Sequence, residues 1–451
     1  MVTPTIPYYP ITHDDGLGLI GALEEIKDAI ILQKRGTVYG FHIDGNESDP
    51  STKVTYIADA IGLIPAYMDY TNSKFNYGSW RNAFFMPRPC MLKYDGTVDY
   101  YLDPNDYTKK EDGVTSSDVA NMNYGGNAMM EWGQNGKKIW YKIVPDESDN
   151  SSASVYIADY QADKDFYAWS FINNQGSMVD HFYTPIYNGS IDTNGRLRSI
   201  SGISRNARTT FADSTGYLCE FGNATQERTA ARLNNPSSNI IWDTEVFSDI
   251  VLINLLLTLM GKSTDTQSVF GQGVTSGGQT GVISSGTGDA LGLFYGYSNT
   301  TSVVKVFGME NYWGNLWHRF GGLVNSRGII KYKLTHGVQD GSSSSDYVIS
   351  TNTNDYVGYL NGNDITNIEA NGYVNKMFFN SDMFAPEEAL GTQSTDYCDY
   401  VYVDNTQVDY ATHGGRSSHG VSCGAWFFGL NDPASTASWG ISASPSCKPL
   451  S

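Results

Sequence analysis

Basic residues are scarce in this chain: 29 Lys and Arg stand against 48 Asp and Glu over 451 residues, a formal net charge of −19. A surface of that sign repels phosphate backbones and anionic bilayers, so neither nucleic-acid binding nor membrane insertion is expected. Long apolar runs are missing too. The most apolar stretch, Ile250 to Met260, is interrupted by Asn254 and Thr258, and at about half the roughly 20 residues a membrane span needs it reads as a buried helix. Cysteine is sparse and odd in number: Cys90, Cys219, Cys398, Cys423 and Cys447 show no spacing of a disulfide framework or zinc knuckle. Free, mostly buried thiols made in a reducing cytosol are expected. The opening MVTPTIPYYPITHDD has neither a basic nor an apolar signal region, so export by the general pathway is not expected. No fixed-period repeat is visible, which argues against a β-helix or propeller. No Gly-x-Ser-x-Gly elbow marks an acyl hydrolase.

What the chain has in quantity is glycine and tyrosine, 47 and 31 residues, with only 17% charged. That composition favours turn-rich β structure, and the expected class is mainly β with a few helices (α+β). Three regions are expected. Residues 1–36 hold a Pro-rich arm and a helix with Leu19, Leu23, Ile26 and Ile30 in a two-heptad seam, suited to self-association, with a trimer as the expected state. Residues 37–235 carry short β runs such as KVTYIADAIG and KIWYKI. Residues 236–451 begin with a helix expected over 243–260, capped by Asp243 and stopped by Gly261.

The richest stretch is GGRSSHGVSCGAWFFGLNDPASTASWGISASPSC, Gly414 to Cys447. Trp426, Phe427, Phe428, Leu430 and Trp439 read as core. His413, Arg416, Ser417, Ser418, His419, Asn431, Asp432, Ser435, Thr436 and Ser438 read as adaptable contact residues on that base. Upstream, Lys305 to Leu323 reads KVFGMENYWGNLWHRFGGL, with Val306, Trp313 and Trp317 on apolar faces and Glu310, Asn311 and Asn315 placed to tie loop backbone.

The block Glu310, Asn311, Trp313, Gly314, Asn315, Trp317 and the terminal GG…G…GAWFF…L…S…W…G…SC block resemble the C-type-lectin-like fold, and more closely its formylglycine-generating-enzyme-like branch. Together with RPCMLKYDGTVDYYLDPNDY, GNAMMEW and LLLTLMGKSTDTQSVFG, the series resembles phage and prophage virion proteins, tail-fibre and receptor-binding proteins among them, and the related diversity-generating variable proteins. The resemblance implies a non-enzymatic display scaffold. Its C-terminal loops would bind a host cell-surface glycan or protein, its N-terminus would attach to other virion proteins, and it would be assembled in the host cytoplasm and exposed on the particle. Positions that vary in diversity-generating relatives would fall between Arg416 and Ser442. The branch's founding enzyme activates oxygen with a closely spaced cysteine pair; Cys423 and Cys447 are far apart in sequence, so that chemistry is not expected.

Other motifs have plainer readings. MGKST, Met260 to Thr264, lacks the upstream glycine of a phosphate loop, where this chain has Leu256. DGNESD, Asp44 to Asp49, could hold Ca²⁺ but lacks EF-hand spacing and reads as a solvated turn; no cofactor is expected otherwise. His413 and His419 lack an evident third ligand, so surface polar contacts are expected in place of zinc. Two alternatives to host binding are carried forward. One is a structural head-fibre or capsid-decoration protein. The other is a polysaccharide depolymerase using Asp99, Asp103 or Asp106.

Overall fold

Alternation builds the first sheet. In Val54–Ala58, Val54 and Tyr56 are buried and Thr55 is exposed, the period-2 pattern of a strand with one face on a core. The computed structural model describes residues 36–204, 211–212, 218–219, 223–334, 347, 357–359, 368 and 370–450. Within them the antiparallel order is Val54–Ala58, Val38–Ile43, Asp149–Ala158, Trp140–Asp146. Leu19, Leu23, Ile26 and Ile30 lie outside the described residues.

A second, seven-stranded sheet runs Trp242–Thr244, Pro445–Cys447, Phe182–Pro185, Gly126–Trp132, Arg88–Lys93, Val98–Asp103, Asp106–Lys110. Its central strand GNAMMEW is buried throughout because both faces are covered: Ala128, Met130 and Trp132 join the main core, while Met129 packs with Cys90, Leu92, Trp242 and Cys447. The strand near the end of the chain is paired on both sides, with Tyr183 and Trp242 both in register with Cys447. The regions expected at 37–235 and 236–451 therefore share a sheet, and Val38–Ser451 is one unit.

The third sheet carries the terminal motifs. Its order is Val357–Tyr359, Ile329–Lys333, Trp317–Ser326, Val408–Gly414, Gly424–Asp432, Tyr400–Val403, Gly372–Tyr373, with Ile441–Ser442 added parallel to Trp317–Ser326. The Tyr400–Val403 and Gly424–Asp432 pair is also parallel.

The Phe247–Gly261 helix is buried at every residue, which explains its lack of a polar stripe. It is tied on several sides. Tyr56 Oη donates to the Leu259 carbonyl at 2.8 Å, Asn254 Nδ2 donates to the Ala425 carbonyl at 2.5 Å, and Lys448 Nζ lies 3.0 Å from Asp249. Both expected ends differ. Asp243 lies in a strand and binds Arg228 and Arg232, so it does not cap the helix. At the other end Lys262, not Gly261, takes the left-handed conformation, at φ 50°, its N–H donating to the Thr258 carbonyl at 2.9 Å. MGKST therefore straddles a helix C-terminus, and the short helix after it, Thr266–Phe270, is capped by Asp265, whose carboxylate accepts from Ser268 N where a phosphate loop leaves its amides open. Four α-helices occur among the described residues, the class is mainly β, and none of the helices is long and apolar enough to cross a membrane.

Candidate functional site

The WGN block is a buried brace beneath the terminal loops. The Glu310 carboxylate accepts from the Gly286 and Gly288 amides at 2.9 and 2.5 Å. Asn315 accepts from Ile283 N and donates to Asn188 Oδ1, each at 2.9 Å. Trp313 Nε1 reaches the Gly271 carbonyl at 3.1 Å. Gly314, at φ 74°, has no room for a side chain: a Cβ would stand 2.8 Å from the Val274 carbonyl oxygen. Asn311 is the exception to the expected tying role, since its buried Oδ1 has no hydrogen-bond partner.

On this brace stands a band of rings. Tyr400 and Tyr402 lie two apart on one strand and so project to the same face, 5.0 Å between ring centroids. Tyr373 continues the band 5.1 Å from Tyr400, and His419 lies 5.6 Å from Tyr402. All four are half-buried. Their floor is the buried pair Phe427 and Trp317, 4.4 Å apart, with Phe427 within about 6 Å of Tyr400, Tyr402 and His419. Burial first, and the Arg416 charge second, push the His419 imidazole down to about 3, so the ring is neutral at physiological pH.

Beside the band, Arg416 lies over the indole of Trp439 at 4.6 Å, donating through Nε to Ser418 Oγ at 3.1 Å and through Nη1 to Ser438 Oγ at 3.2 Å. Ser418, Val421 and Ser435 are exposed, and Asn431, Asp432 and Thr436 are partly exposed at the end of the Gly424–Asp432 strand and just beyond it. Burial pushes the Asp432 carboxyl up despite Arg319 and Arg416 nearby. Two expected contact residues are not at the surface. His413 is fully buried, and Ser417 is buried with its hydroxyl donating to the Gly278 carbonyl at 2.6 Å. Trp439, expected in the core, is half-exposed. His413 and His419 also part company, because His413 packs inward against His318 at 4.9 Å and His419 against the surface rings. Tyr373, Tyr400 and Tyr402 were not among the expected contact residues; the alternating YVYV of the Tyr400–Val403 strand is the signal that marks two of them.

The other candidates resolve into local structure. Asp103 Oδ1 accepts from Asn105 N at 2.9 Å and Asp106 Oδ1 from Thr108 N at 3.1 Å, both turn contacts, while Asp99 pairs with Lys93 at 2.7 Å. Hydrogen bonding to Lys93 holds the Asp99 carboxyl below its usual range, the opposite of what a general acid requires. Asp44 and Asp49 cap their own turns, accepting from Asn46 N and Ser51 N at 2.9 Å each. Cys423 and Cys447 are buried, free, and in different apolar clusters. A comparison with protein-family models finds no match to the chain, and a comparison with curated proteins finds none either.

Proposed function

We propose that the protein is a virion fibre or tail-tip protein, exposed on the particle, that binds a host cell-surface glycan or protein through its C-terminal loops. The observation that carries this reading is the half-exposed band Tyr373, Tyr400, Tyr402 and His419, flanked by the Arg416 and Trp439 pair and held from below by Phe427 and Trp317. Rigid aromatic rings offer contact area at low entropic cost, and their faces suit the apolar faces of sugar rings as well as protein side chains. Arg416, Ser418, Asn431, Asp432 and Ser435 supply polar contacts around that band. The lectin-like resemblance of the WGN and terminal blocks points the same way. Attachment to other virion proteins through residues 1–36, and a trimer that would multiply weak contacts into avidity, belong to the same proposal.

Binding of the purified full chain to an array of bacterial surface polysaccharides and to candidate host cells tests it. Saturable binding lost in a Tyr400→Ala, Tyr402→Ala variant of unchanged thermal stability supports the reading. Binding that survives the change removes the ring band from it.

A second reading, a structural head-fibre or decoration protein, draws on a different surface. Ile61 and Ile64 are 70% and 61% exposed, and Tyr67 is exposed close by in sequence, a patch suited to a protein neighbour. Under that reading Ile61→Ser, Ile64→Ser particles fail to assemble, while the ring-band variant assembles normally.

A further inference from the structure

Beneath the ring band, three chemistry-bearing side chains meet that the proposed function does not use. Glu245 follows the Trp242–Thr244 strand and precedes the central helix; its backbone N–H donates to the Ser444 carbonyl at 3.2 Å and its carbonyl accepts from Gly321 N at 2.8 Å. His318 and His413 are cross-strand partners on Trp317–Ser326 and Val408–Gly414. One ligand atom from each of the three lies within 4.8 Å of the other two, and all three residues are buried.

His318 is held by both ring nitrogens. Nε2 stands 2.9 Å from the Asn311 carbonyl oxygen and 2.9 Å from Asn188 Nδ2, while Nδ1 stands 3.1 Å from Glu245 Oε2. Nδ1 faces the Glu245 carboxylate, where either the imidazole's own proton or a metal ion fills the contact; with a metal on Nδ1, Nε2 is left to donate to the Asn311 carbonyl. A ligating imidazole characteristically donates its second nitrogen to a backbone carbonyl in this way. His413 supplies the independent observation. It is 0% exposed, yet neither ring nitrogen has a hydrogen-bond partner, where a buried polar group left unpaired costs about 1–3 kcal/mol. Its surroundings, Tyr312 at 4.8 Å and Phe320 at 5.6 Å between ring centroids, are aromatic, and Tyr312 Oη is spent on Asn254 Oδ1 at 2.9 Å.

The geometry points to a divalent transition-metal site, with Glu245, His318 and His413 as ligands and Zn²⁺ as the ion their nitrogen and oxygen donors favour. A cation among these donors would satisfy an imidazole that the protein leaves without a partner and would offset the carboxylate charge. It would also join three separate pieces of chain: the segment entering the central helix, the strand after the WGN block, and the strand that leads within three residues to Arg416. The site would be structural, fixing the base from which the terminal loops project.

The full chain, purified without chelator or affinity-tag metal and dialysed, tests this by elemental analysis. About one zinc per chain is expected, and none should remain after unfolding in chelator. Chain refolded with Co²⁺ should show the visible absorption of a nitrogen- and oxygen-ligated ion. His413→Phe, which fills the same apolar space without a donor, should fold, lose the metal and lose the cobalt spectrum, whereas His419→Phe should keep both. Wild-type protein with no bound metal, no cobalt spectrum and a melting temperature unmoved by added Zn²⁺ overturns the proposal and leaves Glu245 and His318 as a proton-bridged pair. Metal retained in full by His413→Phe overturns it equally.

Discussion

The guanidinium of Arg416 lies 4.6 Å from the centroid of the Trp439 ring, and Gly440 is what lets it lie there: a Cβ on Gly440 would fall 2.3 Å from Arg416 Cδ. Gly440→Ala should therefore displace the arginine without touching the core. The stacked pair is worth about 0.5–1 kcal/mol where exposed, so Arg416→Ala and Gly440→Ala should each cost no more than about 1 kcal/mol in urea unfolding while raising the dissociation rate from any bound surface. Arg416→Lys should not rescue, because a lysine cannot reach Ser418 and Ser438 together.

Asn254 ties the central helix to two other parts of the interior. It donates to Ala425 and accepts from Tyr312, joining the helix both to the strand of the GAWFF block and to the WGN block. Asn254→Leu orphans both partners at about 1–3 kcal/mol each, so a loss of roughly 2–5 kcal/mol is expected by denaturant titration, larger than for Thr258→Val on the same helix.

Arg319 and Glu227 form an ion pair of 3.1 Å with each side chain 2% exposed. Burial outweighs the arginine and pushes the Glu227 carboxyl up to about 7. Arg319→Met should cost about 3–5 kcal/mol because it leaves the buried Glu227 carboxyl without its counter-charge, and adding Glu227→Gln should recover part of that loss. A double-mutant cycle in thermal unfolding measures the difference.

His419 gives a pH dependence of defined sign. Its folded value, about 3, is below the unfolded value of about 6.5, so between them the unfolded chain binds more protons than the folded one. The stability it contributes is complete above about pH 6.5 and is lost as pH falls toward 3, roughly 2 kcal/mol by pH 5. His419→Gln should flatten that loss. Glu227 runs the other way: its raised value makes the folded chain the better proton binder between about 4.5 and 7, so Glu227→Gln should steepen the acid loss. Unfolding measured at several pH values for the two variants separates the contributions.

The β class was legible in the glycine and tyrosine content, and the buried central helix in its apolar run, because both follow from local composition. The helix ends were not. Asp243 has the look of a cap, but two arginines nearby in sequence, Arg228 and Arg232, claim its carboxylate, a pairing that only the fold creates. The contact residues split for a similar reason. Arg416, Ser418 and Ser435 keep some exposure, whereas His413 and Ser417 are drawn inward by the strand partner His318 and by Gly278. Trp439 reads as core by type yet ends half-exposed under an arginine. Tyr373 and His419 join Tyr400 and Tyr402 only through the fold, from positions that linear spacing does not bring together.

The most direct measurement is equilibrium binding of the full-length protein to intact candidate host cells, beside an Arg416→Ala, Tyr402→Ala variant of matching circular dichroism and melting temperature. Saturable wild-type binding and a variant weaker by at least about tenfold, a loss of roughly 1.4 kcal/mol, are expected. Equal binding by the two proteins, or none by either across the candidate hosts, would contradict host binding through these loops.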